Sequence, residues 1–212
     1  MRTLLIVMFG TVCCLGGCQS SKPDSAPPSA AAAPPAAAKA SAPTGKPVIE
    51  LVTSKGTIEL ELYPDKAPIG VKNMLGYLEK KHYDGTVFHR VIPNFMIQGG
   101  GFTADMMEKP TQSPIKNEAQ NSLLNERGTL AYARRPMPDS ATCQFFINLK
   151  HNVALDHRDD SPAGFGYAVF GKVTKGMEVV DAIAAVPTGP KGPHQNVPID
   201  PVVIQTARLK SP

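Results

Sequence analysis

Arg90, a cation, and Gln98, an amide, sit among the apolar groups of the stretch Val87-Phe88-His89-Arg90-Val91-Ile92-Pro93-Asn94-Phe95-Met96-Ile97-Gln98-Gly99-Gly100-Gly101-Phe102. The β-branched and aromatic residues on either side of Pro93 predict two short strands meeting at a bend, because proline has no N–H to give to a ladder. If Arg90, Phe95, Met96 and Gln98 converge, they make an apolar pocket with a planar, permanently charged donor at its rim.

The elements that must position these groups follow from periodicity. Val48-Ile49-Glu50-Leu51-Val52 and Thr57-Ile58-Glu59-Leu60-Glu61-Leu62 flank Ser54-Lys55-Gly56. Ile58, Leu60 and Leu62 alternate with Glu59 and Glu61, which predicts an antiparallel hairpin with one wet face. Val71, Met74, Leu75 and Leu78 then recur at helical spacing. Further strands are expected from Gly128 to Ala133, Cys143 to Leu149, Tyr167 to Val173 and Val202 to Leu209. A second helix is marked by Met177, Val180, Ile183 and Ala184 and closed by Pro187. Many short strands with two isolated helices point to a closed antiparallel barrel, which leaves no exposed edge.

The first fifth of the chain is compositionally separate. Met1-Arg2 gives a positive start, and the apolar stretch from Leu4 to Leu15 falls short of the roughly 20 residues that span a bilayer. That fits residues 1–17 as a secretory signal. From Gln19 to about Pro47 the chain is mostly Ala, Pro and Ser, and it cannot bury enough surface to offset ordering entropy. Residues 18–47 are therefore expected to be a tether and residues 48–210 the folded domain. Residues 1–47 hold four basic residues and one acid of the overall +4, which leaves +1 for the remainder. The folded part thus gives no charge argument for nucleic-acid binding.

Other constellations are weaker. Cys13, Cys14 and Cys18 are too crowded for a disulfide framework, and Cys143 reads as a buried core thiol. His151, Asp156, His157, Asp159 and Asp160 fit no compact metal-ligand spacing and read as a solvated loop, so a metal-dependent hydrolase is disfavoured. Gly99-Gly100-Gly101 lacks the following Lys-Ser/Thr of a phosphate cradle.

The run Phe88 to Gly100 resembles the signature of the cyclophilins, the peptidyl-prolyl cis-trans isomerases. Ser140-Ala141-Thr142-Cys143-Gln144-Phe145-Phe146-Ile147 and Phe165-Gly166-Tyr167-Ala168-Val169-Phe170-Gly171-Lys172-Val173 are similar to two further stretches of that family. The resemblance runs from about Val48 to Leu209, with bacterial members most similar. It implies an eight-stranded antiparallel β-barrel capped by two α-helices, with the active site on its outer face. It also implies that Arg90 is catalytic. Phe95, Met96, Phe146 and Leu155 would line a proline pocket. Gln98 and Gln144 would contact the peptide, Ala133 and Arg134 would hold it through their main chain, and His89 would support Arg90. Tyr167 stands where many relatives have histidine. Ala154 falls where cyclosporin-sensitive members have tryptophan, so weak cyclosporin binding is expected.

Leu15-Gly16-Gly17-Cys18 resembles a bacterial lipobox. Acylation of Cys18 would anchor the mature protein to a membrane without spanning it, because stable anchoring takes more than one chain. By analogy with the lipoproteins of enteric bacteria, a residue other than aspartate after the cysteine, here Gln19, implies the outer membrane over the inner.

The implied reaction is rotation about X–Pro bonds. That barrier is about 18–20 kcal/mol, because the C–N bond is partly double. A catalyst needs no cofactor, no metal and no proton transfer. It must favour the twisted state, in which the proline nitrogen regains its lone pair; an apolar grip on the ring and a donor over that nitrogen would do so. The expected partners are proline-containing peptides and unfolded chains, and the expected form is a monomer. The other reading is a proline-peptide-binding chaperone with little turnover. Such a protein would need the pocket without Arg90.

Overall fold

The computed structural model describes residues 46–210. The expected signal segment, Cys18 and nearly all of the tether lie outside the described residues. Ten strands and two α-helices are laid out in the order β1 (Val48–Thr53), β2 (Gly56–Leu62), α1 (Pro68–Glu79), β3 (Thr86–Ile92), β4 (Met96–Thr103), β5 (Thr129–Tyr132), β6 (Phe145–Asn148), β7 (Val169–Lys175), α2 (Met177–Ala184), β8 (Thr188–Lys191), β9 (His194–Pro198) and β10 (Val203–Leu209).

Eight strands close into a barrel in the order β1-β10-β3-β4-β6-β5-β7-β2, with every pairing antiparallel. Alternation along β2 buries Ile58, Leu60 and Leu62 completely. Its outward carboxylates meet cations instead: Glu59 pairs with Lys210 at 2.6 Å and Glu61 with Lys46 at 3.1 Å. The interior is filled by Ile49, Leu51, Phe88, Ile97, Phe145, Ile147 and Phe170.

The helices close opposite ends. α1 follows the far end of β2 and buries Val71, Met74, Tyr77 and Leu78. Its first turn has no cap of its own, and the Glu118 carboxylate supplies one by accepting from the N–H groups of Ile69 (3.0 Å) and Gly70 (2.8 Å). α2 lies by the near end of β2, where Val179 packs against Gly56.

Two features differ from the sequence expectation. Tyr167 falls in the loop before β7 rather than within it. β8 and β9 form a separate hairpin, pairing Thr188 with Pro198 and Gly189 with Val197. The run Thr188-Gly189-Pro190-Lys191-Gly192-Pro193 carries turn chemistry, not strand alternation. Its extended form comes from the partner strand, whose Val197 is buried.

Candidate functional site

The bend between β3 and β4 is a four-residue turn, Ile92 to Phe95, closed by the Phe95 N–H on the Ile92 carbonyl at 3.1 Å. Pro93 suits its second position. Asn94 takes the left-handed conformation its third position demands, with φ 56°. The turn therefore aims Phe95 and Met96 back over the barrel.

Across the barrel surface the register sets one row of side chains. Arg90 on β3 is opposite Gln98 on β4, Gln98 is opposite Phe146 on β6, and Phe146 is opposite Ala131 on β5. Their chain neighbours Val91, Ile97, Ile147 and Leu130 belong to the interior core. Because side chains alternate faces, the row looks outward. It carries a second, smaller apolar cluster of Met96, Ala131, Phe146 and Val169, with Phe95, Ala133, Leu155 and Tyr167 packed against it.

Over this cluster lies a cavity of about 590 Å³. Arg90, Phe95, Met96, Gln98, Phe146 and Leu155 line it, and so do His89, Ala133, Arg134, Gln144 and Tyr167. The structure thus brings every domain residue expected to be catalytic or to contact the peptide to one concavity. The apolar end is formed by Phe146 and Tyr167, edge to face at 5.7 Å, together with Met96 and Leu155.

Polar groups form a relay beside it. Arg90 Nη1 donates to Gln98 Oε1 at 3.4 Å, and Gln98 Nε2 donates to Gln144 Oε1 at 2.9 Å. Arg90 itself is exposed, so most of its donors face solvent. The Arg134 side chain is spent on structure: it donates to the carbonyls of Gly166, Arg135, Pro136 and Pro162 and covers the Tyr167 ring at 4.7 Å. Gly101 lets Gln144 approach, since a Cβ there would lie 2.5 Å from the Gln144 Cγ.

His89 is 5% exposed, and its Nδ1 has no hydrogen-bond partner. Burial, then the nearby His194, push its pKa down to about 4, so the ring is neutral at physiological pH. It packs on Phe102 at 4.7 Å.

The pocket's backbone is tied down from below by buried amides. Asn152 Nδ2 donates to the Phe95 carbonyl at 2.8 Å and to Asn148 Oδ1 at 2.7 Å. Asn148 Nδ2 donates to Asn125 Oδ1 at 3.2 Å. Asn125 Nδ2 in turn donates to the Leu155 carbonyl at 3.0 Å and to the Tyr167 carbonyl at 3.4 Å. Asp156 accepts from the Asn125 N–H at 2.6 Å and is only 7% exposed. This corrects the solvated-loop reading for Asp156. Its Asn125 partner lies 31 residues upstream in the chain, beyond the reach of local pattern.

Phe102, Glu108 and Arg135 also border the cavity, as do Pro193 in the β8–β9 turn and His194 to Asn196 at the start of β9. Phe102 closes the apolar stretch that begins at Val87, and the sequence assigned it no role. The hairpin turn gave no signal, because nothing in its composition says where it packs.

The family model "Cyclophilin type peptidyl-prolyl cis-trans isomerase/CLD" matches residues 48–209. The chain belongs to the cyclophilin-type peptidyl-prolyl cis-trans isomerases. Its relatives in sequence include peptidyl-prolyl cis-trans isomerase cyp18 of Streptomyces antibioticus, 56% identical over 161 residues, which are 76% of this chain and 97% of that protein. A second is the peptidyl-prolyl cis-trans isomerase of Acinetobacter baylyi, 59% identical over 165 residues, 77% of this chain and 86% of that one. Among solved structures, a cyclophilin type isomerase of Cryptosporidium parvum aligns with TM-score 0.65 at 24% identity, covering 79% of this chain and 99% of its own. The same protein, solved in the presence of the dipeptide Ala-Pro, aligns with TM-score 0.63 at 25% identity, over 78% of this chain and 99% of that one. This cyclophilin is an isomerase of X–Pro peptide bonds, built on the closed eight-stranded barrel of the family.

Proposed function

We propose that this cyclophilin is a lipid-anchored prolyl isomerase that assists the folding of extracytoplasmic proteins. The observation that carries the catalytic part is the row Arg90–Gln98–Phe146 across one cavity with an apolar end. Phe95, Met96, Phe146 and Leu155 take the proline ring and exclude water. Arg90 donates to the prolyl carbonyl and to the nitrogen lone pair that exists only in the twisted state, which lowers the barrier rather than deepening ground-state binding. Gln98, held by Gln144, orients Arg90. The main chain of Ala133 and Arg134 takes the residue before proline. His89 and Tyr167 shape the two ends. The dipeptide Ala-Pro, in whose presence the Cryptosporidium parvum isomerase was solved, has the chemistry this pocket would accept.

Ala154 is exposed and carries no indole donor, which supports weak cyclosporin binding. The lipobox-like Leu15-Gly16-Gly17-Cys18 supports removal of residues 1–17 and acylation of Cys18 with diacylglycerol and a further acyl chain such as palmitate. The tether of residues 19–47 would reach about 90 Å if fully extended as polyproline, enough to carry a monomeric barrel clear of the headgroups into the periplasm.

Two assays test this reading. The wild type should accelerate the slow, proline-limited refolding phase of a secreted substrate protein, a phase of tens of seconds when uncatalysed. Mass spectrometry of the protein from a bacterial envelope should find a diacylated N-terminal Cys18, and Cys18→Ala should leave the membrane fraction. An unmodified, soluble wild type would overturn the anchoring, and an unchanged refolding phase would overturn the folding role.

A further inference from the structure

The β8–β9 hairpin contributes Pro193 of its turn and His194 to Asn196 of β9 to the isomerase cavity. Lys191 Nζ donates to the Ala104 carbonyl at 2.9 Å, which holds the hairpin against the loop after β4. His194 then meets Phe102 edge-on, with ring centroids 5.0 Å apart and planes at 68°. Phe102 also meets His89, at 4.7 Å. Three rings therefore form one wall, and both Phe102 and His194 are only partly buried, so ring surface is left facing the cavity.

The direction of the substrate follows from a second cavity of about 290 Å³, which opens beside Ala133, Gln98 and Gln144. Glu108 and Arg135 border both cavities. Phe102 is bridged to Glu108, which joins the ring wall to the same side. If Ala133 takes the residue before proline, the second residue upstream faces the smaller cavity. The third, about 3.3–3.6 Å further on in an extended chain, is then left to the Phe102 and His194 wall, which lines the same cavity as Ala133. Glu108 and Arg135 bring opposite charges to that rim, so a charged side chain gains little there. A flat apolar ring gains offset or edge contacts with both aromatic partners.

We infer that Phe102 and His194 form a subsite for an aromatic side chain three residues before the substrate proline, which makes His194 a specificity-determining residue; this rests on the isomerase reading above. The test compares acetyl-Phe-Ala-Ala-Pro-Ala-amide with acetyl-Ala-Ala-Ala-Pro-Ala-amide by NMR exchange, in the wild type, His194→Ala and His194→Phe. The wild type should favour the Phe peptide in kcat/KM by roughly two- to tenfold, the range of one or two aromatic contacts. In His194→Ala the ratio should fall to about one, and His194→Phe, which keeps a ring, should retain it. A wild-type ratio near one, or a preference that survives His194→Ala, would overturn the subsite while leaving the isomerase intact. No acceleration of either peptide by the wild type would overturn both.

Discussion

Arg90 donates through Nη1 to Oε1 of Gln98 at 3.4 Å, directly across the β3–β4 ladder, so the amide sets where the guanidinium can swing. Gln98→Ala should leave the charge in place but release its orientation. One lost hydrogen bond to a charged group corresponds to about a tenfold fall in kcat/KM. Thermal unfolding should stay within about 1 °C of wild type, because Gln98 is only partly buried and its removal orphans no core group. Peptide exchange and differential scanning calorimetry on the same sample separate the two effects.

Much of this site was legible in the chain. The alternation of Ile58, Leu60 and Leu62 specifies one buried face and so fixes a strand. Pro93-Asn94 names the turn that aims Phe95 and Met96, and the signature run places Arg90 and Gln98 on the two strands that this turn joins, where they are register partners. What stayed hidden has long-range causes. Asp156 is buried because Asn125 reaches it from another segment, and the hairpin turn joins the cavity because β9 packs beside β3. Neither contact has a period or a local motif that could report it.

Gly101→Ala should disturb the relay without straining the backbone. Its Cβ would meet the Gln144 side chain at 2.5 Å, and that side chain can move, whereas the strand need not. Displaced Gln144 no longer accepts from Gln98. The expected result is a several-fold loss of kcat/KM with a stability change under about 1 kcal/mol. Gly100→Ala, by contrast, would place a Cβ 2.9 Å from both the Phe145 and Tyr83 rings at φ +86°, and should destabilise by about 2 kcal/mol or more. Urea unfolding of the two variants checks the contrast.

The buried amide chain predicts a stability effect. Asn125→Ala removes the donor to the Leu155 and Tyr167 carbonyls and the acceptor of Asn148 Nδ2. Leaving several buried groups unpaired should cost about 2–4 kcal/mol in urea unfolding. The Leu155 and Tyr167 resonances should shift in the variant while those of Ile49 and Leu51 do not.

His89 predicts a pH dependence with a fixed sign. Its pKa of about 4 in the folded protein lies below the ordinary value near 6.5. Between those values the unfolded chain binds the proton more readily, so stability is fully present above about pH 6.5 and is lost as pH falls toward 4. The loss from this group is on the order of 3 kcal/mol. His82, buried against the Gly100 carbonyl, is shifted in the same direction and adds to it. His89→Gln should flatten the pH profile of the urea midpoint between pH 4.5 and 6.5.

Cys143 should be silent in the native state. It is fully buried, and burial pushes its thiol up to about 11, so little thiolate exists at neutral pH. Labelling by a thiol reagent in native buffer should proceed no faster than global unfolding, as measured by amide hydrogen exchange of β6.

The most direct test of the account is cis-trans exchange of an Ala-Pro-Phe-type peptide, followed by NMR exchange spectroscopy with wild type and Arg90→Ala side by side. Circular dichroism should show the same fold for both. The account predicts rapid exchange with the wild type and a loss of two or more orders of magnitude in the variant, since removing a donor aimed at transition-state charge costs about that much. Equal acceleration by both proteins would contradict it and remove Arg90 from the centre of catalysis.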